Sequence, residues 1–339
     1  MTHFDAYSRP INYLRISVTD RCNLRCVYCM PPEGIPWRPH EQLLRYEEIE
    51  TIVRAAAELG ISKVRLTGGE PLVRLNIVDL VHMLARVPGV DDLTMTTNGI
   101  LLSRCADALA EAGVRRVNVS LDTLRAERFH RITRLGCIED VLAGLEAADR
   151  AGLQPVKINT VVIRGMNDDE VVDFARRTTD DGWNVRFIEW MPIGNGQCMG
   201  RRWLDAVVTA HEIREKIETA LGGLQPANAS TGSGPARYYR LPGAKGTIGF
   251  IAPVSEHFCF RCNRLRLTAD GQLRLCLLSD QEIDLRTPLR EGRTVPSQQG
   301  ADVARVKALI LEGIERKPLQ HHLDERKRPQ KRVMSQIGG

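Results

Sequence analysis

The stretch LRISVTDRCNLRCVYCMP, Leu14 to Pro31, runs from a β-rich segment straight into three cysteines packed within eight positions. Cys22, Cys26 and Cys29 follow C-x3-C-x2-C spacing, with no fourth cysteine nearby. A cubane iron–sulfur cluster has four irons, each needing an outer ligand, so three thiolates leave one iron open to bind a small molecule. A structural zinc site borrowing a distant fourth ligand is the plainer alternative, although zinc sites usually pair two C-x2-C units.

The same arrangement, a strand with unusual residues at its end, recurs along the chain. β-rich runs appear at Asn12–Thr19, Lys63–Gly69, Leu93–Gly99, Arg116–Asp122, Val156–Val162 and Val185–Met191. Helix-period segments separate them, among them YEEIETIVRAAAELG (Tyr46–Gly60), which ends on a glycine stop. Strand and helix alternating at intervals of roughly 30 residues imply stacked βα units and a parallel sheet. Polar or glycine-rich clusters close nearly every strand: Gly68–Glu70, Thr96–Asn98, Ser120–Asp122, Lys157–Asn159 and Glu189–Met191. Barrel enzymes assemble their sites from many strand ends, whereas an open sheet concentrates function at one switch point. The pattern therefore predicts an α/β fold with an incomplete (β/α)6 TIM-like barrel over residues 1–222. LQPANASTGSGPARYY reads as a loop or linker, and residues 223–339 as a smaller C-terminal α+β domain. RLRLT and QLRLCLL, separated by ADG, predict a β-hairpin there.

The chain's 339 residues, 43% hydrophobic and 26% charged, suit a large folded core. A formal net charge of +5 is compatible with a phosphate-bearing substrate, and aromatics at 5% offer no platform for stacking single-stranded nucleic acid. Six of nine cysteines fall into two tight groups, which favours metal-bound thiolates in a reducing compartment over a secreted disulfide framework. The N-terminus MTHFDAYSRP lacks a signal-peptide pattern and no run approaches a membrane span, so the expectation is cytoplasmic, with no membrane partner.

CNLRCVYC after the first strand, with GGEP (Gly68–Pro71) after the second, resembles the radical S-adenosylmethionine enzymes. In them the open iron chelates S-adenosylmethionine, and one electron cleaves it to a 5′-deoxyadenosyl radical. Near the C-terminus stands a second group, Cys259-x2-Cys262-x13-Cys276, for which His257 offers a Cys3His zinc alternative on spacing alone. The longer first motif, the CFRCNRLRLT…C block and the terminal Gly338-Gly339 together resemble the GTP 3′,8-cyclase family over essentially the whole chain. That resemblance implies two 4Fe-4S clusters, on Cys22, Cys26 and Cys29 and on Cys259, Cys262 and Cys276. It implies radical cyclisation of GTP, the first step of molybdenum cofactor biosynthesis, with S-adenosylmethionine as cosubstrate.

By the same resemblance Tyr28, Gly69, Ser120 and Met191 hold S-adenosylmethionine. Arg15, Arg65, Thr96, Lys157, Arg264 and Arg266 hold GTP, and the Gly338-Gly339 tail assists the GTP-dependent step. Arginine's fork suits phosphate oxygens, and Arg264 and Arg266, one residue apart on a strand, share a face. Lys157 and Arg65 lie within apolar strand runs, where charges are paired or functional. Glu70 stays open between an internal ion pair and a place beside the methionyl moiety. The family also implies an external one-electron donor, a homodimer and product hand-off to cyclic pyranopterin monophosphate synthase. Cys105, Cys137 and Cys198 read as ordinary thiols, His321 and His322 as solvated, and ERKRPQKR as solvated surface. Two competing readings are a radical enzyme that modifies a peptide and a non-catalytic zinc-binding module.

Overall fold

The computed structural model describes residues 2–193, 197–198, 201–228, 234–291, 299–323 and 329–338. Its main elements, in order, begin with β1 (Tyr13–Ser17), α1 (Tyr46–Glu58), β2 (Lys63–Thr67), α2 (Ile77–Ala85), β3 (Asp92–Thr97), α3 (Ala106–Ala112) and β4 (Arg116–Ser120). Then come α4 (Ala126–Thr133), α5 (Ile138–Arg150), β5 (Lys157–Val162), α6 (Val171–Asp180), β6 (Asn184–Glu189) and α7 (Ala210–Leu221). The remainder supplies β7 (Gln225–Ala227), β8 (Arg237–Arg240), β9 (Thr247–Ile251), β10 (Arg264–Leu267), β11 (Gln272–Arg274), β12 (Glu282–Asp284) and α8 (Gln299–Glu315). All six expected strands are present, each within a residue or two of its expected bounds.

The strands are amphipathic in a particular way. On β1, Leu14 and Ile16 are fully buried and join the apolar core packed under the helices, whereas Tyr13 and Arg15 alternate onto the other face and line a cavity. Every parallel strand repeats this, with an aliphatic face toward the helix layer and a polar face inward. The helices supply the matching apolar stripe, as α1 does with Ile49, Ile52, Val53 and Ala56.

β1 to β6 pair in parallel in chain order. Two further strands extend this series from the C-terminal region: β9 beside β6 and β10 beside β1, both parallel. Antiparallel β7–β8 and β11–β12 complete the edges of one 12-stranded sheet. β9 and β10 are not paired to each other, so the barrel stays open between them. The expected hairpin is present, with Arg266 opposite Arg274.

Part of the expected linker is instead structured: Gln225–Ala227 and Arg237–Arg240 are strands of this sheet, while residues 229–233 lie outside the described residues. Gln225–Ala227 is a short, mostly exposed edge strand and Arg237–Arg240, beside it, is half exposed, so neither carries an apolar alternation to betray it. No helix of the described residues is long and apolar enough to cross a membrane.

Candidate active site

The loop after β1 is folded tightly upon itself. The amides of Cys29 and Met30 donate to the Cys26 carbonyl at 2.9 and 3.2 Å. Neighbouring elements fix its position. Arg25 N–H donates to the Thr133 carbonyl at the end of α4, and Arg134 Nη1 reaches the carbonyls of Arg25 and Met30 at 2.8 and 3.1 Å. From the other side comes the GGEP loop: Gly69 N–H donates to the Thr19 carbonyl at 2.7 Å. A Cβ on Gly69 would stand 2.3 Å from the Arg21 carbonyl oxygen, so only glycine lets the two loops meet.

Glu70, left open by the sequence, forms no ion pair among the described residues. Its buried carboxylate accepts from Leu72 N at 3.1 Å, Thr97 Oγ1 at 2.7 Å and Asn98 N at 2.7 Å, locking the GGEP loop to the end of β3. Burial pushes its acid up to about 7, against the pull of these three donors.

Both cysteine groups face one cavity of about 290 Å³ at the strand ends. Its walls include Cys22, Cys26, Cys29, Cys259, Cys262 and Cys276 together with Tyr28, Gly69, Ser120 and Met191. Arg15, Arg65, Thr96, Arg264 and Arg266 line it as well. Lys157 is not in the wall: it sits a layer deeper on the inward face of β5, two residues before Asn159, its ammonium 5.8 Å from the Tyr238 ring centroid. Gly338 lies against this site, its carbonyl accepting from Arg266 Nη1 at 2.8 Å, while Gly339 falls outside the described residues.

Burial pushes the three N-terminal thiols up, Cys22 to about 11 and Cys29 to about 12, with neighbouring thiols adding to the rise at Cys26 and Cys29. Such thiols give up their protons only to a strongly binding cationic group. A single tetrahedral zinc would bring its sulfurs to roughly 4 Å from one another. Among the described residues, the only three ligand-type groups within 4.8 Å of one another are His257, Cys259 and His321. Neither cysteine triad is drawn that tight, and the wider spacing fits thiolates spread over the corners of a cluster. In the second triad burial alone would raise Cys262, but Arg264 and Lys317 outweigh it and bring the thiol down to about 6.

Deeper in the barrel is a layer of cations. Arg266, Arg15 and Arg65 stand side by side in register on β10, β1 and β2. Arg186, on the inward face of β6, is buried, and its Nε and Nη2 lack a hydrogen-bond partner among the described residues. Burial first, and then mutual repulsion, lowers Arg15 strongly and takes Arg266 down to about 9. Orphaned guanidinium donors in a like-charged layer form a socket for a polyanion. Arg186 escaped the sequence reading, although the rule that singled out Lys157 and Arg65, a cation inside an apolar strand run, picks it out of VRFIEWM.

Two expectations fail here. His321 is buried, with Nε2 2.9 Å from the Pro253 carbonyl and 3.0 Å from His257 Nδ1, whereas His322 is exposed as expected. Arg332, in the run expected to be solvated, is 8% exposed and ion-paired. Cys137, exposed, and Cys105, half-buried, stand just before α5 and α3, while the Cys198 side chain lies outside the described residues.

Comparison with known proteins decides the family. The family model described as Radical SAM superfamily matches residues 16–178, and that described as Molybdenum Cofactor Synthesis C matches residues 183–323. A GTP 3′,8-cyclase of Pelotomaculum thermopropionicum is 56% identical over 337 residues, 99% of each chain. The chain belongs to the GTP 3′,8-cyclase family. A second GTP 3′,8-cyclase, from Moorella thermoacetica, is 51% identical over 335 residues, again 99% of each chain. Among solved structures, Streptococcus suis SuiB bound to S-adenosylmethionine superposes with a TM-score of 0.59 at 15% identity. That match covers 82% of this chain and 63% of the SuiB chain, a likeness of fold alone. Membership of the radical S-adenosylmethionine superfamily brings with it one 4Fe-4S cluster and S-adenosylmethionine, and Cys22, Cys26 and Cys29 are the donor set that fits.

Proposed function

We infer that this chain converts GTP to (8S)-3′,8-cyclo-7,8-dihydroguanosine 5′-triphosphate, joining ribose C3′ to guanine C8 as the first step of molybdenum cofactor biosynthesis. One observation carries the reading: two cysteine triads and a layer of guanidinium groups, Arg15, Arg65, Arg186, Arg264 and Arg266, open on one cavity. When bound to Cys22, Cys26 and Cys29, the cluster supplies the electron that cleaves S-adenosylmethionine to methionine and a 5′-deoxyadenosyl radical. Tyr28, Gly69, Ser120 and Met191 hold that cosubstrate. The amide of Gly69 is spent on Thr19 and the place of its missing side chain on the Arg21 backbone, so its contribution falls to its carbonyl.

Arg15, Arg65, Arg264, Arg266, Lys157 and Arg186, with Thr96, hold GTP by its phosphates and sugar. Cys259, Cys262 and Cys276, from the region 223–339, would hold a second 4Fe-4S cluster, whose open iron would supply a ligand position for the guanine. With the substrate so fixed, the barrel excludes water from the radical's path and holds its target atom close. The tail glycines Gly338 and Gly339 complete the site. The electron donor is external, the chain acts as a cytoplasmic homodimer, and its product passes to cyclic pyranopterin monophosphate synthase.

The test is anaerobic turnover with S-adenosylmethionine, a strong reductant and GTP deuterated at C3′, followed by mass spectrometry. The expected products are a GTP isomer and 5′-deoxyadenosine carrying the label. Unlabelled 5′-deoxyadenosine beside unchanged GTP would overturn the substrate assignment.

The reading also has a pH signature. Burial, then repulsion from Arg186, Arg116 and Arg65, lowers Lys157 to about 7. A triphosphate favours the charged ammonium, so binding takes up a proton once pH exceeds that value. GTP affinity is expected to weaken by up to about tenfold per pH unit above about 7. Titration calorimetry in buffers of differing ionisation enthalpy reads the uptake, and Lys157→Arg should flatten the profile. An identical profile in that variant would remove Lys157 from the phosphate site.

A further inference from the structure

Arg332 is far better held than a residue near the end of a polar run requires. Its Nη1 and Nη2 donate to the two oxygens of Asp270 at 2.9 and 3.0 Å. Nε and Nη2 donate to the two oxygens of Glu282 at 2.7 and 2.9 Å. Asp270 stands in the turn between β10 and β11, and Glu282 lies on β12. Arg38 braces Asp270 at 3.3 Å, and Arg274 braces Glu282 at 2.5 Å. A guanidinium engaged bidentately on two carboxylates, itself almost wholly buried, defines a position closely.

The segment beyond Arg332 has little means of holding itself. The six residues Val333 to Gly338 contain a single helical turn, Met334–Gln336. Yet Ser335 lines the cavity beside Cys29, Ile337 is buried beside Leu278 and Leu323, and Gly338 accepts from Arg266. At Gly338 the backbone has φ +70°, and a Cβ would come within 2.8 Å of Thr67 Cγ2. The tail thus shares the cavity wall with the first triad and is hydrogen-bonded to the cation layer.

We propose that Arg332 is a positioning residue: clamped on Asp270 and Glu282, it sets the register in which residues 333–338 enter the cavity, seating Ser335 beside Cys29 and Gly338 on Arg266. The proposal rests on the reading of the tail as part of the cyclising site. It gives the ion-pair network a task beyond holding the hairpin, namely delivering a short, weakly structured segment to two fixed points.

The test compares four cluster-loaded proteins: wild type, Arg332→Gln, a chain ending at Arg332, and the chain ending at that position with Arg332→Gln. Arg332→Gln is expected to keep its iron and its 5′-deoxyadenosine formation but to lose about 10²-fold in GTP cyclisation, mainly in kcat. Hydrogen exchange of residues 333–338 should rise to that of a free chain. Adding the substitution to the truncated chain should cost nothing further, the non-additivity of groups acting through one another. Arg332→Lys, able to meet one carboxylate at a time, should recover part of the loss.

Wild-type exchange of the tail in Arg332→Gln would overturn the clamp, as would a further loss when the two changes are combined. Should Arg332→Gln fail to fold, Asp270→Asn takes its place, keeping an acceptor while removing one charge, with the same readouts. Full cyclisation by the truncated chain would instead sink the tail's role, and exchange in Arg332→Gln would still report on the clamp itself.

Discussion

Cys29→Ser is expected to yield folded protein that has lost about half its iron and acid-labile sulfide and forms no 5′-deoxyadenosine at all. The Cys29 thiol is buried, and burial with the nearby Cys22 thiol pushes its pKa up to about 12. A serine hydroxyl fits that space but does not ionise to serve as a soft ligand. No other thiol among the described residues can step in: the remaining cavity cysteines belong to the other triad, Cys105 stands just before α3, and Cys137 is exposed. Cys276→Ser is expected to behave differently, also losing about half the iron but retaining 5′-deoxyadenosine formation while cyclising no GTP. The contrast separates the roles of two sites that share one cavity. Iron analysis, absorbance and product counting on both variants check it. Cleavage of S-adenosylmethionine by the Cys29 variant would mean that the first triad is not the reducing centre.

The sequence carried the barrel because each parallel strand bears two messages at once. Aliphatic residues such as Leu14 and Ile16 mark the face under the helices, while the polar residues between them, and the clusters at the strand ends, mark the cavity. The first triad was legible by spacing, since its three cysteines come from one loop, whereas Cys276 stands beyond the β10–β11 hairpin from Cys259 and Cys262, and spacing alone left that group open to zinc. The features that stayed hidden are non-local. β9, TIGFI, is a five-residue buried strand whose place beside β6 depends on a return from the far end of the chain. His321 and Arg332 sit in polar stretches, and only their distant partners, His257 for one and Asp270 with Glu282 for the other, account for their burial. Arg186 was legible and missed.

The second large effect concerns how the C-terminal region is attached. Glu189, the last residue of β6, is 1% exposed and meets no cation among the described residues. Its Oε1 accepts from Ala210 N at 2.8 Å, the first amide of α7, and from the Ser255 hydroxyl. Its Oε2 accepts from the amides of Val254 and Ser255, both at 2.9 Å. A carboxylate at a helix N-terminus is favoured by the helix dipole, and here it is also the acceptor that gathers the chain after β9. That chain runs on to His257 and Cys259, and Met191 lies two residues beyond Glu189 on the other side. One side chain therefore ties the last βα unit to the second triad.

Glu189→Ala leaves four donors without this acceptor, Ala210 N buried and those of Val254 and Ser255 partly so, each worth ~1–3 kcal/mol if wholly orphaned; with water reaching some of them, a net loss of about 4 kcal/mol is expected. For a chain of this length that corresponds to a fall in Tm of about 5 °C. Glu189→Gln, which keeps one good acceptor oxygen, should fall between. The same variants should lose iron from Cys259, Cys262 and Cys276 before they lose it from Cys22, Cys26 and Cys29, whose loop is braced by α4 and Glu70 instead. Calorimetry and iron counts on cluster-loaded protein give both numbers. A Glu189→Ala protein that melts with the wild type and keeps all its iron would show that the loop after β9 holds its place without this carboxylate.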